Sequence, residues 1–324
     1  MWEHDVPLAP LVRYRIGGPA AALARPGSAG DLREALRTMP EPVAAGQRAG
    51  RSAPGPLTLG AGANVLVSDR GIGTPVLVLG GNFADFSHGN HSFVVGAAVR
   101  LPTLVREARR AGARGYYFLE AVPGTVGGAL RMNAGTPDRG LWDLVEWAEA
   151  VTPDGDTVRV TSNEARPGYR SCGLPHRWVF ARAKLSARPG DPAAIREKHR
   201  AFRDRKVRGQ VYELPSVGSI WKNPGRAAGS SAWETVSAAG MRGAVRGGAR
   251  IAERHANFIV NLGGASSDDV LGLMAETRGR VGRQLGVDLQ PEIQLWGFSP
   301  EELASVGAAP PRPQTQETNL GGPE

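Results

Sequence analysis

A glycine-rich segment between Glu120 and Gly135 constrains the fold of this 324-residue chain more than any other feature. It reads EAVPGTVGGALRMNAG, and glycine lets the backbone approach a ligand closely because no Cβ stands in the way. Successive N–H groups in such turns form a concavity that suits phosphate or pyrophosphate. Another glycine-rich segment, TLGAGANVLVSDRGIG, lies earlier, at Thr58–Gly73; in chain order it is the first glycine loop and Glu120–Gly135 the second. Two such loops predict one long, charged cofactor held along its length, with a pair of tight turns as the alternative.

The pattern of apolar residues predicts an α+β fold. Runs such as Val65–Val67 and Phe258–Val260 are short enough for buried strands, whereas Ser28–Leu36, Leu101–Ala111 and Ser267–Leu285 have helical spacing and helix-start signals. The first glycine loop leads into a strand and does not open a helix. This argues against a Rossmann dinucleotide site, in which the glycines open a helix.

The length of the chain allows two domains, each with its own core. Composition shifts and helical patterns divide it further. We predict a cofactor domain over residues 11–189 with subdomains at about 11–85 and 86–189, a helical linker at 190–209, a C-terminal substrate domain at 210–298, and a disordered tail at 308–324.

The net charge of +8 first suggests a nucleic-acid partner. The lysines are only Lys184, Lys198, Lys206 and Lys222, and the arginines are spread along the whole chain, so the bias is compositional. The densest run, Arg196–Arg208, has helical spacing and predicts a solvated helix face, with anionic ligands as the alternative. We therefore expect small-molecule partners and no nucleic acid.

Cys172 is the only cysteine, which excludes an intrachain disulfide and a cysteine-based metal cluster. No apolar run approaches the ~20 residues that span a bilayer. The first residues show no secretory pattern. We expect a monomeric cytoplasmic protein with neither a metal site nor a membrane contact.

The segment Ser216–Pro224 carries candidate chemistry in the sequence SVGSIWKNP. The hydroxyl of Ser219 could position or donate a proton, and Lys222 and Asn223 could meet an anionic substrate. The segment is not a G-x-S-x-G nucleophile elbow, since no glycine stands two residues after Ser219. An ordinary serine turn is the alternative.

Two further segments carry charged candidates. Tyr169 and Arg170 lie in the sequence GYRS, where arginine offers a planar charged fork for carboxylate or phosphate. Glu292 opens a final apolar strand in QPEI. Taken alone, Arg170 could equally form a surface salt bridge, and a surface position is favoured for Glu292. His255 precedes a buried strand and is predicted to be structural, because no second histidine or cysteine has metal spacing.

In this order, the segments resemble the family of UDP-N-acetylenolpyruvoylglucosamine reductases (UDP-N-acetylmuramate dehydrogenases, the MurB family). The resemblance runs from Tyr14 to Gly297, nearly the whole chain before the tail. Each block is modest alone, but seven in family order are specific. The blocks are GAGANVLVSDRG, VPGTVGGALRMNAG, GYRS, GSIWKNP, GMRG, RHANFIVN and LQPEIQLWG.

The resemblance implies an FAD-binding fold of the vanillyl-alcohol-oxidase (PCMH) type in two subdomains, followed by an α+β substrate domain. NADPH would reduce FAD, and the enolpyruvyl ether of UDP-N-acetylglucosamine would be reduced to UDP-N-acetylmuramate for peptidoglycan. Ser219 matches the proton donor, and Arg170 with Glu292 the pair that stabilises the enolic carboxylate. Tyr169, Lys222 and Asn223 are the candidate substrate contacts. The candidate cofactor contacts are Gly60, Gly62, Asn64, Pro123, Gly124, Thr125, Gly127, Gly128, Asn133 and Gly135.

The chain departs from the family pattern at two places. Ala63 stands where a serine is usual, which removes one hydroxyl contact to the cofactor phosphates and weakens binding by roughly 0.5–1.5 kcal/mol. The segment Thr136–Gly140 replaces Ala-Tyr-Gly and leaves the local contact open. Two other functions stay open on sequence grounds. One is another FAD oxidoreductase of this fold, acting on a different sugar or enol ether, and the other is a non-enzymatic basic binding protein.

Overall fold

The computed structural model describes residues 1–42, 55–224 and 231–308. Within these ranges the strands are short and are spread over several small sheets. The tail predicted at 308–324 lies outside the described residues beyond residue 308. The strands are β1 (Trp2–Pro7), β2 (Pro19–Ala24), β3 (Leu57–Thr58), β4 (Val65–Val67), β5 (Val76–Leu77), β6 (Phe86–Gly89), β7 (Ser92–Gly96), β8 (Gly135–Thr136), β9 (Arg139–Gly140), β10 (Val145–Val151), β11 (Thr157–Val160), β12 (Val179–Ser186), β13 (Val245–Arg246), β14 (Ala249–Ile251), β15 (Ile259–Asn261) and β16 (Gln294–Trp296).

The helices predicted at Ser28–Leu36, Leu101–Ala111 and Ser267–Leu285 and in the linker are present, whereas four short helices, one of them within the second glycine loop, were not predicted. Ser28 caps the first one, since its Oγ accepts the N–H of Asp31 at 3.1 Å. The Oγ of Ser266 caps the seventh in the same way, accepting from Asp269. The predicted linker contains the long fifth helix. The helices of the described ranges are α1 (Ala29–Arg37), α2 (Leu101–Arg110), α3 (Val126–Arg131), α4 (Ser162–Ala165), α5 (Pro192–Gly209), α6 (Ala232–Ala238), α7 (Ser267–Leu285) and α8 (Pro300–Ser305).

Two sheets form the N-terminal half of the molecule. The first has the order β1-β2-β5-β3, and the second is antiparallel with the order β11-β10-β12-β7-β6. Strand β1 precedes the predicted start of the first subdomain near residue 11 and was not predicted; it pairs with β2 from Trp2↔Ala24 to Pro7↔Pro19. The second sheet carries the largest buried core, packed against α2 and α3.

The C-terminal half consists of the antiparallel sheet β13-β14-β15 packed against α6 and α7. Its core also contains Tyr14, Ile16 and Leu66, which come from the N-terminal half. Strand β16, at the end of the C-terminal half, pairs in parallel with β4, which directly follows residues 60–64 of the first glycine loop. The two halves therefore share both a core and a sheet, and this brings distant loops together at one place.

Candidate active site

Arg170 and Glu292 are far apart in sequence but form an ion pair where the two halves of the molecule meet. The Nε of Arg170 donates to Oε1 of Glu292 at 2.6 Å. The two side chains are only 16% and 12% exposed, so the pair is shielded from solvent. Nη1 of Arg170 also reaches the carbonyl oxygen of Gly135, at the end of the second glycine loop, at 3.3 Å.

The backbone around Arg170 is held in an unusual conformation. Arg170 has φ of +56°, a left-handed value that is costly for a residue with a side chain. Gly168 and Ser171 bond each other across this turn at 3.0 and 3.3 Å. Nδ2 of Asn133 donates to the Gly168 carbonyl oxygen at 3.0 Å. The second glycine loop thus helps to hold the turn that presents the guanidinium.

Burial dominates the electrostatics of Glu292. Removal from water raises the pKa of its carboxyl, although Arg170, Lys222 and Lys206 act in the opposite direction. Lys206, on α5, has its own pKa lowered by burial and by the nearby charges of Arg170 and Arg205. The site is therefore a buried cluster of cations around a single carboxyl group.

The loop of Ser219 is tied to Glu292 through backbone hydrogen bonds. The carbonyl oxygen of Ile220 accepts the N–H of Glu292 at 2.7 Å, and the N–H of Lys222 donates to Gln290 at 2.9 Å. The side chain of Asn257 contacts the same loop. Its Oδ1 accepts the N–H of Trp221 at 2.8 Å, and its Nδ2 donates to the carbonyl oxygen of Trp221 at 2.9 Å. Ser219 is half-buried. These contacts hold the segment that directly follows Ser219 against the backbone of Glu292.

The three candidate substrate residues lie around the same cluster. The pKa of Tyr169 is raised by burial and by the charge of Glu292, and its ring lies 4.9 Å from the guanidinium carbon of Arg170. The positive charge of Lys222 acts to lower the pKa of Glu292. Asn223 has a further task, because its Oδ1 accepts the N–H of Ala232 at 3.0 Å at the start of α6.

The first glycine loop presents unused backbone donors. Within the described part of the chain, none of the backbone N–H groups of residues 60–64 donates a hydrogen bond. At Gly60, an added Cβ would lie 2.5 Å from Oγ1 of Thr125, so the two glycine loops press against each other there. Gly62 has φ of +59° and packs against Val12. A row of free amides in a loop of mostly small residues suits a phosphate group.

The second glycine loop uses most of its amides internally. The N–H groups of Val126 and Gly127 donate to Val99 and Ala97, and that of Gly128 donates to Oγ1 of Thr125, the cap of α3. The N–H groups of Gly124 and Thr125 have no acceptor among the described residues. The open cradle is therefore mainly the first loop, while the second packs against it and adds these two donors.

Both asparagine candidates make contacts within the chain. Nδ2 of Asn64 donates to the carbonyl oxygen of Glu292 at 3.1 Å, which joins the cradle to the ion pair. The side chain of Asn133 is occupied at both ends, since its Oδ1 also accepts the N–H of Trp142 at 3.2 Å. Asn133 thus connects loops, a task that glycine-loop composition alone did not indicate.

The segment Thr136–Gly140 forms the hairpin β8–β9, with Gly135 opposite Gly140 and Thr136 opposite Arg139. The guanidinium of Arg139 lies over the ring of Phe118 at 5.6 Å. An arginine on an aromatic ring therefore lies where the family pattern has Ala-Tyr-Gly.

Sequence reasoning missed Lys206, because the arginine-rich helix around it predicted a solvated face. The only available sequence signal for its burial was that Lys206 follows the aromatic residue Phe202 and precedes the C-terminal half. His255 is half-buried, with its ring 4.8 Å from that of Phe258, and its partial removal from water lowers its pKa to about 4. In residues 1–42, 55–224 and 231–308 no cluster of His, Cys, Asp or Glu could hold a metal ion. No helix of those ranges could cross a membrane.

Fold and site together define a flavin-binding domain joined to a second domain. Residues 20–161 match the model of the FAD binding domain family. Residues 210–296 match the family model described as UDP-N-acetylenolpyruvoylglucosamine reductase, C-terminal domain.

Curated relatives carry the same description over nearly their whole length. The UDP-N-acetylenolpyruvoylglucosamine reductase of Acidiphilium cryptum is 36% identical over 91% of this chain and 91% of its own. That of Anaeromyxobacter sp. is 40% identical over 94% of this chain and 92% of its own. The crystal structure of the Thermus caldophilus enzyme (MurB) has a TM-score of 0.76 and 32% identity, and the match covers 91% of this chain and 99% of that one. The chain belongs to the UDP-N-acetylenolpyruvoylglucosamine reductase (MurB) family.

Proposed function

We propose that this chain reduces UDP-N-acetylglucosamine enolpyruvate to UDP-N-acetylmuramate, a step of peptidoglycan precursor synthesis, with FAD as cofactor and NADPH as co-substrate. The observation that carries the proposal is the buried Arg170–Glu292 pair, with the Ser219 loop hydrogen-bonded beside it. Asn64 joins this pair to the open amide cradle. A redox cofactor and a carboxylate-bearing substrate would therefore meet at one site.

The residues present fit the cofactor. The free N–H groups of residues 60–64 would hold the pyrophosphate, and those of Gly124 and Thr125 would add two donors from the facing loop. Bound FAD supplies the hydride transfer from NADPH to the enolpyruvyl double bond. The missing hydroxyl at Ala63 leaves this backbone cradle in place.

Arg170 would bind the carboxylate of the enolpyruvyl group. Its Nε is used by Glu292, which leaves guanidinium donors for a carboxylate oxygen. Hydride addition to the terminal carbon of the enolpyruvyl double bond would leave the electron pair on the carbon that bears the carboxylate, where it delocalises onto the carboxylate oxygens; a fixed cation stabilises charge where it develops. Glu292 would hold the guanidinium against that carboxylate through its hydrogen bond to Nε of Arg170. The pair would thus stabilise the enolic form.

Ser219 would then supply the proton that completes the reduction. A hydroxyl held within hydrogen-bond reach of a carbanionic carbon can deliver its proton there. The contacts of Ile220 and Trp221 restrict the motion of the loop that carries it. Lys222, Tyr169 and Asn223 would contact the anionic substrate. We also propose that the enzyme acts as a cytoplasmic monomer on small molecules alone and binds no nucleic acid.

The experiment has two parts. Purified protein should be yellow, with the absorption bands of bound oxidised flavin, and its NADPH oxidation should depend on UDP-N-acetylglucosamine enolpyruvate. Flavin that is re-oxidised rapidly by oxygen with a free sugar would support another FAD oxidoreductase of this fold instead. Colourless protein with salt-dependent DNA affinity would favour a basic binding protein.

A further inference from the structure

Glu120, the residue that opens the second glycine loop, is held by the linker helix α5. Its Oε1 lies 2.9 Å from Nδ1 of His199 and 3.5 Å from Nη1 of Arg109. Glu120 is 8% exposed and His199 is 3% exposed, so the contact between them is shielded from water. None of the site residues considered so far explains why a buried carboxylate–histidine contact occurs here.

The protonation of this contact follows from its surroundings. Burial acts to raise the pKa of Glu120, but the hydrogen bond from His199 and the charges of His199, Arg109 and Arg203 lower it overall. An ionised carboxylate only accepts hydrogen bonds, so Nδ1 of His199 carries a hydrogen and donates it. Nε2 of His199 has no partner within the described residues. Within the described residues, the imidazole of His199 therefore makes one hydrogen bond, the one to Glu120.

Two other contacts join the same helix and its following segment to the start of the loop. The ring of Phe202, on α5, lies 5.8 Å from that of Tyr117. Beyond the helix, the hydroxyl oxygen of Tyr212 lies 3.3 Å from the carbonyl oxygen of Ala121 and 2.7 Å from Oε1 of Gln210. Ala121 has φ of +58°, a conformation that alanine adopts only when its neighbours enforce it. Glu120 lies directly before this strained residue.

We propose that His199 is a positioning residue of the cofactor site. By fixing Glu120 from α5, it sets the backbone of residues 121–125, and with it the free N–H groups of Gly124 and Thr125. The linker helix is then part of the cofactor site although it contacts no cofactor. The inference rests on the proposed binding of FAD and goes beyond it.

A purely structural pair would behave differently. Removing one partner of a buried charged contact lowers stability, since the other charge is left unpaired, and a purely structural pair would show that loss alone. A positioning role predicts, in addition, a loss of cofactor affinity in apoprotein that is still folded. The two quantities can be measured separately.

The test uses the full-length apoprotein, titrated with FAD and followed by flavin fluorescence, together with its melting temperature without FAD. We expect His199→Leu to lower the melting temperature, and to raise the Kd for FAD roughly ten-fold or more at a temperature well below it, where the apoprotein is still folded. His199→Asn should restore most of the affinity, because its side-chain nitrogen lies as many bonds from Cα as Nδ1 of histidine. Lys198→Leu, exposed on the same helix, is the matched control and should bind FAD normally.

The outcomes separate the hypotheses. An unchanged Kd in His199→Leu overturns the positioning role, and so does a loss of affinity that only parallels a loss of stability and is not rescued by asparagine. If His199→Leu does not fold, Glu120→Met removes the acceptor instead, and unchanged FAD affinity in that variant overturns the inference. Wild-type apoprotein that does not bind FAD would overturn the proposed function as well.

Discussion

At the scale of single residues, the site depends on Arg170 in a conformation that its side chain disfavours. A left-handed non-glycine residue costs on the order of 1–2 kcal/mol, and the surrounding contacts must offset this. The Asn133–Gly168 hydrogen bond and the Glu292 ion pair do so. Strain of this kind is typical of a side chain that must point at a ligand.

Ser219→Ala should separate the two halves of the catalytic cycle. We expect reduction of the flavin by NADPH to stay near normal, because the serine takes no part in it. Re-oxidation by the enolpyruvyl substrate should slow about 10²-fold or more, since the proton donor is missing. Stopped-flow absorbance of each half-reaction measures this. Two intact half-reactions would rule out Ser219 as the proton donor.

Glu292→Gln should change how stability depends on pH. A carboxyl with a raised pKa binds its proton more tightly in the folded state, so the free energy of unfolding falls as pH rises above the ordinary value of 4.5. The glutamine variant lacks this loss, and its stability relative to wild type should therefore increase with pH over that window. Denaturant unfolding at a series of pH values measures the difference.

Glu149→Gln is the matched control for the pH series. Burial acts to raise the pKa of Glu149, but hydrogen bonds from Arg182 and Arg159 lower it overall. The sign is thus reversed, and this variant should lose stability relative to wild type as pH rises through the lowered pKa. Equal pH dependence in both variants would contradict the assignment of opposite shifts.

The sequence indicated the residue types of the site but not their contacts. Taken singly, Ser219, Arg170 and Glu292 were explained no better by an active site than by a surface turn or salt bridge. Only the seven blocks in family order favoured the active site. The ion pair joins residues on separate elements, and no local pattern reports such a distance. Lys206 was missed because exposed arginines surround it in sequence, whereas burial depends on how α5 packs.

At the scale of elements, the two glycine loops work as a pair in close contact. The prediction of a phosphate cradle was stated first for Glu120–Gly135, but the free amides lie mainly at residues 60–64. The N-terminal amides of α3 are used by Ala97 and Val99, which the sequence could not show. The caps at Ser28 and Ser266, in contrast, were predictable because capping depends on residues within one turn.

Gly60→Ala tests the contact between the loops. The new methyl group would lie 2.5 Å from Oγ1 of Thr125, so one of the loops must move and the amide cradle must change shape. We expect the Kd for FAD to rise roughly ten-fold, a size that corresponds to one good hydrogen bond. Fluorescence titration of the apoprotein measures it.

Gly80→Ala is the control for the loss of a glycine. An added Cβ at Gly80 would meet no atom within 4 Å, so FAD affinity should not change. Equal effects of the two substitutions would show that backbone freedom, rather than contact with Thr125, accounts for the result at Gly60.

At the scale of the whole molecule, the C-terminal half is built around pieces of the N-terminal half. The hydroxyl of Tyr14 donates to the carbonyl oxygen of Ile259 at 2.8 Å, and Nδ2 of Asn261 donates to the carbonyl oxygen of Tyr14 at 3.0 Å. Asp69 and Ser267 exchange two further hydrogen bonds. The predicted division into domains could not include these contacts between the halves, because contacts between distant segments leave no local signal in the sequence.

This shared core predicts cooperative unfolding. We expect the apoprotein to unfold in a single calorimetric transition, because the C-terminal core cannot persist without Tyr14, Ile16 and Leu66. Tyr14→Phe should lower the free energy of unfolding by about 1–2 kcal/mol without splitting the transition. Two separate transitions in the wild type would contradict the shared core.

The most direct test of the proposed activity is a single anaerobic turnover. Protein whose flavin has been reduced with one equivalent of NADPH is mixed with UDP-N-acetylglucosamine enolpyruvate, and flavin absorbance and product are followed together. The account predicts rapid return of the oxidised flavin spectrum with one equivalent of UDP-N-acetylmuramate. A flavin that stays reduced in the presence of this substrate would contradict it.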